Sequence, residues 1–305
     1  MAGPLVSVII PTFNDAKERL AATISSVLRQ SHEALEVIVS DDGSSHPFAG
    51  LDKELRDDRI CWLKNEHWGV ARTRNAAINV ATGDYVAFLD TGDWWEADKI
   101  EKQIDAFSSD PEAVLVYTSA MTHDPFGRTA RLEGIKHGAL YRELLVGQPI
   151  VGSCSAVMVP RHIMDQVGGF YVDKDIPEDK ELWLRISRLG KVAFIPEFLV
   201  HLEIGLTSRS ADPVGKMKPY QRFIEMHTEE IIREGLEETA WSNYHVSIAD
   251  KFFSLGYFLP GIKHIILALS KKVTRAGIVR MFAGFFALFG PRAYSYTKHI
   301  YRNRS

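Results

Sequence analysis

Val6-Ser7-Val8-Ile9-Ile10-Pro11-Thr12-Phe13-Asn14 is the stretch on which the reading of the chain turns. Its apolar and β-branched residues run on without helical spacing and stop at small polar ones, the pattern of a buried strand opening into a loop. Nothing basic precedes the apolar run from Leu5 to Pro11, and Asn14, Asp15 and Lys17 follow at once. A strand is therefore expected here, not a secretory leader. Downstream, Leu20, Ile24, Val27 and Leu28 recur at helical spacing and lead to a second strand at Leu35 to Ser40. A third strand is expected at Arg59 to Leu63, a helix over Val70 to Val80, and a fourth strand at Tyr85 to Leu89 that ends in Asp90-Thr91-Gly92-Asp93. A helix from Ala97 to Phe107 and a strand at Ala113 to Tyr117 complete the alternation. Strands alternating with helices predict βαβ units, hence an α/β fold with a mostly parallel central sheet flanked by helices.

The regularity loosens from Thr122 to Gln148, which reads as loops with one helix. A strand at Ser153 to Val159, helices near Arg161 to Val167 and Glu181 to Leu189, and strands near Val192 to Ile195 and Phe198 to Glu203 follow. From Lys216 onward only helices are expected, separated by Gly235, Pro260 and Pro291. The division is thus a sheet domain over 1–215 and a helical extension over 216–305. Ile278 to Phe289 is the longest apolar-looking stretch, but it contains Arg280 and falls short of the about 20 residues a bilayer span needs.

At 305 residues, with 46% apolar and 25% charged residues, the composition is that of a packed globular protein and excludes collagen-like and disordered classes. Two cysteines, Cys61 and Cys154, cannot build a disulfide framework, and no Cys/His cluster has zinc-site spacing, so a cytoplasmic, reducing compartment is expected. Charge is divided unevenly. Residues 1–250 carry all 39 acidic side chains beside 26 basic ones, net −13, whereas the last 55 carry ten basic side chains and no acid, net +10. Aromatic residues accompany these cations, among them Phe252, Phe258, Phe282 and Tyr294. A basic amphipathic segment of this kind suits the anionic cytoplasmic face of a membrane. The acidic remainder shows no nucleic-acid module, so no nucleic-acid partner is expected.

In open α/β sheets ligands sit beyond the carboxyl ends of the strands. Here those ends read Pro11-Thr12-Phe13-Asn14, Asp41-Asp42-Gly43-Ser44 and Asp90-Thr91-Gly92-Asp93, with Asn65 after the third strand. Each alone reads as a turn, but together they place acids and small polar residues along one edge. Such carboxylates accept from base or ribose hydroxyls or hold a cation against a pyrophosphate. Gly69 opens the helix that carries Arg72 and Arg74 near its start, where helix-end amides favour anions.

Six segments in order, Val6 to Asn14, Ile24 to Ser31, Asp41 to Ser45, Ala71 to Ile78, Gly83 to Asp90 and Pro177 to Arg185, resemble the family 2 glycosyltransferases of the GT-A fold. The resemblance covers residues 5 to about 210 and implies inverting transfer of a sugar from a nucleotide-diphosphate donor, expected to be of UDP type, to an acceptor hydroxyl of a glycan or lipid-linked acceptor. It implies that Pro11, Thr12, Phe13, Asn14 and Asp42 hold the base and ribose, with Arg74, Asp90 and Thr91 completing the donor site. Asp179, beside Glu178, falls at the general base, and Asp90 and Asp93 fall where the family holds Mg²⁺ or Mn²⁺.

Two departures bear on that cation. Gly92 stands where the family usually has a metal-binding Asp. A Tyr-Arg-x-His segment common in the family aligns with His201, Glu203 and Gly205. They leave open a non-catalytic nucleotide-sugar-binding or scaffold protein on the same fold. A nucleotidyltransferase is disfavoured by Glu178-Asp179 and the Leu-Trp-Leu-Arg run after them, which resembles acceptor-side chemistry.

Overall fold

Every residue of the first strand, Val6–Thr12, is buried, which is why its sequence lacks alternation. The computed structural model describes residues 3–134, 137–147, 149–150, 153–204 and 213–272. The elements follow as β1 (Val6–Thr12), α1 (Lys17–Leu28), β2 (Leu35–Asp41), α2 (Leu51–Glu54), β3 (Ile60–Lys64), α3 (Val70–Val80), β4 (Tyr85–Phe88), β5 (Trp94–Trp95), α4 (Lys99–Ser109), β6 (Ala113–His123), β7 (Thr129–Leu132), α5 (Tyr141–Val146), β8 (Val157–Pro160), α6 (Arg161–Val167), α7 (Glu178–Ser187) and β9 (Lys191–Glu203), then α8 (Pro213–Met226), α9 (Thr228–Arg233), α10 (Glu237–Ser254) and α11 (Phe258–Lys271).

The sheet runs β3-β2-β1-β4-β8-β6-β9-β5, with β7 paired to β6. β3, β2, β1 and β4 are mutually parallel and carry the expected βαβ half. Beyond β4 the sheet is mixed, because β8 enters antiparallel between β4 and β6 and β5 pairs antiparallel with β9. The parallel register Thr12↔Asp41 and Asp41↔Lys64 aligns the carboxyl ends of β1, β2 and β3.

Val192 to Glu203, expected as two strands, lies within one. The register with β6 passes from Thr118↔Ile195 to Ser119↔Phe198, so Pro196 and Glu197 bulge out of the ladder. β6 likewise continues six residues past the expected Tyr117, because β7 folds back on its far end.

The chain divides into two units, Met1–Tyr141 with Gln148–Lys174 and Glu178–Leu206, and Arg142–Gly147 with Asp175–Pro177 and Thr207–Ser305. Within the second, Ala249 and Phe253 of α10 pack on Ile265 of α11. A Cβ at Gly261 would run into the Phe253 ring, so this glycine sets the approach of the two helices. Pro260, expected as a separator, sits in the first turn of α11, where its missing N–H costs nothing. Among the described residues no helix is long and apolar enough to cross a membrane. Pro291, the stretch Ile278 to Phe289 and the cations from Arg275 onward lie outside the described residues.

Candidate active site

The loops after β1 and β2 are laced together. The Asn14 N–H donates to Ser44 Oγ at 2.8 Å, and Asn14 Oδ1 accepts from the Ser45 N–H and hydroxyl, each at 3.0 Å. Asn14 itself has φ 50°, a left-handed conformation that Asn tolerates. Thr12 Oγ1 donates to Asp15 at 3.0 Å, and Phe13 stays exposed, stacked on His67 with ring centroids 4.3 Å apart. Pro11 accepts through its carbonyl from the Thr91 hydroxyl at 2.9 Å, which ties the β1 loop to the β4 loop.

Asp42 is committed elsewhere than expected. Its carboxylate accepts from the Trp68 N–H at 2.8 Å, the Gly69 N–H at 3.0 Å and the Thr73 hydroxyl at 2.7 Å, and thus fixes the entry to α3. Sequence reasoning passed over its neighbour Asp41. Asp41 Oδ2 accepts from the Ser44 N–H at 2.9 Å, while its buried Oδ1 has no donor. A buried acceptor left without a donor costs about 1–3 kcal/mol, and no signal in Asp41-Asp42 separates the two roles.

Arg74 joins the two halves of the expected site. It is 4% exposed, donates from Nη2 to Asp90 Oδ1 at 2.6 Å and from Nη1 to Glu178 Oε1 at 3.3 Å, and lies over the Phe170 ring. Burial pulls its pKa down, but Asp90 and Glu178 outweigh it and the guanidinium stays charged. Phe170 is placed by a reciprocal pair with Asn75 at 2.8 Å in both directions. α7 is held by Arg185, whose Nη2 donates to the Gly169 carbonyl at 2.7 Å and whose Nε donates to Glu181 at 2.7 Å. Glu178 and Asp179 occupy the first turn of α7, where acids favour the helix dipole. The Asp179 pKa is raised, by burial first and by Glu178 second. Glu178 is paired with Arg74, whereas the Asp179 carboxylate makes no ion pair with it and is the more basic for its burial.

The turn after β4 departs from the expected cation site. Asp93 faces inward. Its Oδ2 accepts from the Ser155 hydroxyl at 2.6 Å and its Oδ1 from the Glu203 N–H at 3.0 Å. Burial, with Asp90 nearby, pushes its pKa up to about 7. Gly92 has φ 99°, and a Cβ built there would overlap the guanidinium of Arg19. Asp90 Oδ1 is taken by Arg74. Among the described residues no three His, Cys, Asp or Glu side chains converge as metal ligands. This donor set is a poor fit for a divalent cation held by Asp90 and Asp93, because Asp90 already shares an oxygen with Arg74 and Asp93 is buried with each oxygen accepting a bond from the fold. His201 is already engaged by other side chains. It donates or accepts between Glu96 at 2.7 Å and His123 at 2.9 Å, stacked on Trp94.

The sequence model described as "Glycosyl transferase family 2" matches residues 7–164, the span that builds β1 through β8 and the strand-end acids. The chain belongs to glycosyl transferase family 2. Two curated relatives agree. The UDP-Glc:alpha-D-GlcNAc-diphosphoundecaprenol beta-1,3-glucosyltransferase WfaP of Escherichia coli is 32% identical over 190 residues, 61% of this chain and 71% of that protein. The putative teichuronic acid biosynthesis glycosyltransferase TuaG of Bacillus subtilis (strain 168) is 32% identical over 201 residues, 63% and 75% respectively. In fold the chain is similar to S. aureus TarS 1-349 solved with UDP-GlcNAc, with a TM-score of 0.64 over 99% of this chain and 92% of that one at 15% identity. The protein is therefore a glycosyltransferase of GT-A fold, as its family and relatives show against the non-catalytic alternative; of the two departures behind that alternative, Gly92 lies against Arg19 and Gly205 lies outside the described residues. Within this family 2 transferase, Arg19, Asp41 and Ser155 are the residues at this edge that sequence reasoning passed over.

Proposed function

We propose that this transferase moves a hexose from a UDP-sugar to the hydroxyl of a lipid-linked saccharide in cell-surface glycan synthesis, with inversion at the anomeric carbon, at the cytoplasmic face of a membrane. The observation that carries the reading is Asp179, a carboxylate of raised pKa next to the Arg74–Asp90 pair at the carboxyl edge of the sheet. The acceptor oxygen attacks the anomeric carbon as its proton passes to Asp179. The bond from that carbon to the diphosphate oxygen breaks, and UDP leaves with the electron pair. Arg74 keeps Asp90 and Glu178 in place through this exchange. Asp41 Oδ1 supports a base with an imide N–H, such as uracil, which would supply the donor it lacks.

The acceptor class is supported by relatives named for transfer to GlcNAc-diphosphoundecaprenol and for teichuronic acid biosynthesis. On α11, Leu259 and Ile266 are exposed beside Lys263, and Lys271 and Lys272 follow. Such a face suits an anionic lipid surface, at about 1 kcal/mol for each cation near it. The test is transfer from a panel of nucleotide-diphosphate sugars to undecaprenyl-diphosphate-linked GlcNAc carried in anionic vesicles, with the bound protein sedimented alongside. Transfer from a UDP-sugar with co-sedimentation is expected. Transfer from no donor, or from guanine or thymine nucleotide sugars alone, overturns the reading.

A further inference from the structure

The two places where the sequence departs from its family's cation motif meet at one side chain. Arg19, on α1, lies against Gly92, which stands where the family usually has an Asp, and donates from Nε to Glu203, which stands where the family has an Arg, at 2.7 Å. Its Nη1 donates to Asp15 at 3.0 Å, and Asp15 in turn accepts from Thr12 Oγ1 at the end of β1. Nε and Nη1 are thereby used, and Nη2 takes neither ion pair. A side chain on residue 92 would displace this guanidinium from its present position, since even a Cβ there overlaps it. The φ of 99° and the Gly92 N–H donated to Thr23 Oγ1 at 2.9 Å hold the backbone in a form suited to glycine.

We propose that Arg19 carries, at the donor diphosphate, the positive charge for which the family resemblance implies a divalent cation, and that this site binds its donor and turns it over without a metal. The inference rests on the UDP-sugar reading above. Three further observations support it. Asp93 is buried, and each of its oxygens already accepts a hydrogen bond from within the fold, from the Ser155 hydroxyl and the Glu203 N–H. The Arg74 side chain is 5% exposed and closed in between Asp90 and Glu178, which leaves a diphosphate little access to it. The Arg19 side chain, by contrast, is 40% exposed, and solvent-exposed ion pairs hold their partners weakly enough for a dianion to compete. A guanidinium fork also matches phosphate oxygens in a way an ammonium does not. It takes up no proton in the step; it offsets the charge that collects on the leaving oxygen as the bond to the anomeric carbon breaks.

The experiment is calorimetric titration of UDP into the full chain, in chelator and in Mn²⁺, for the wild type, Arg19→Ala and Arg19→Lys, with the transfer rate followed in both buffers. Wild-type affinity and rate are expected to agree within about twofold with and without metal. Arg19→Ala is expected to bind UDP at least tenfold more weakly in both buffers while unfolding within a few degrees of the wild type, and Arg19→Lys is expected to recover only part of the loss. Wild-type binding or transfer that needs Mn²⁺ overturns this inference and leaves the UDP-sugar reading standing, as does Arg19→Ala that binds UDP like the wild type. UDP that binds the wild type in neither buffer removes the donor reading and this inference with it.

Discussion

Asp179→Asn is expected to lower turnover by about 10²–10⁴-fold and to leave UDP binding within about twofold. The substitution preserves the shape of the side chain at the first turn of α7 and its acceptance from the Lys180 N–H at 2.7 Å, but the amide cannot take the acceptor's proton. Selective loss of turnover is the mark of a base and not of a helix-start acid, whose removal would appear mainly as lost stability. The pH dependence has a fixed sign. Burial and Glu178 raise the Asp179 pKa, and the base works only when ionised, so kcat/KM of the wild type falls as pH drops through that raised value. The residual activity of Asp179→Asn lacks this limb. Transfer rates across pH, with calorimetry for UDP, measure both effects; turnover within about threefold of wild type takes Asp179 out of the mechanism.

Arg74→Met is expected to carry the largest stability effect of any single change at this edge. It leaves Asp90 and Glu178 facing each other without the guanidinium that now stands 2.6 and 3.3 Å from them. The carboxylates left behind are 37% and 24% exposed, so water offsets part of the loss of these charge-assisted bonds and the cost is about 2–3 kcal/mol, a melting shift on the order of 5 °C for a protein of this size. Donor binding should fall as well, because Asp90 loses its tether. Arg74→Lys keeps the charge but not the two-pronged reach, so it is expected to lie between. Thermal unfolding with UDP titration reads both; a methionine variant that melts within about 2 °C of the wild type would show that Arg74 does not organise the site.

The parallel half of the sheet was legible because buried strands of β-branched residues between helical patterns have few alternative readings. β5 was not, since Trp94 and Trp95 are too few to show a period, and β7 lies in a polar, exposed run. The bulge at Pro196 and Glu197 made one strand look like two, for proline and a charged residue normally end a ladder. Motif order placed Asp90, Glu178 and Asp179 at the edge where the structure has them. The same order gave Asp42 to the base and ribose and Asp93 to a cation; in the structure Asp42 bonds the start of α3 and Asp93 bonds Ser155. Arg19 is beyond the reach of a one-dimensional reading, because Glu203 is 184 residues away from it. On α1 it looks like any solvated helix cation.

The measurement that bears most directly on the central claim is the anomeric configuration of the transferred sugar, read by proton NMR of the isolated product. A single displacement with Asp179 as base places the acceptor on the face opposite the departing UDP, so the account predicts a configuration inverted from that of the donor. A retained configuration would contradict it, since retention requires two displacements or same-face attack and leaves Asp179 without the role assigned to it.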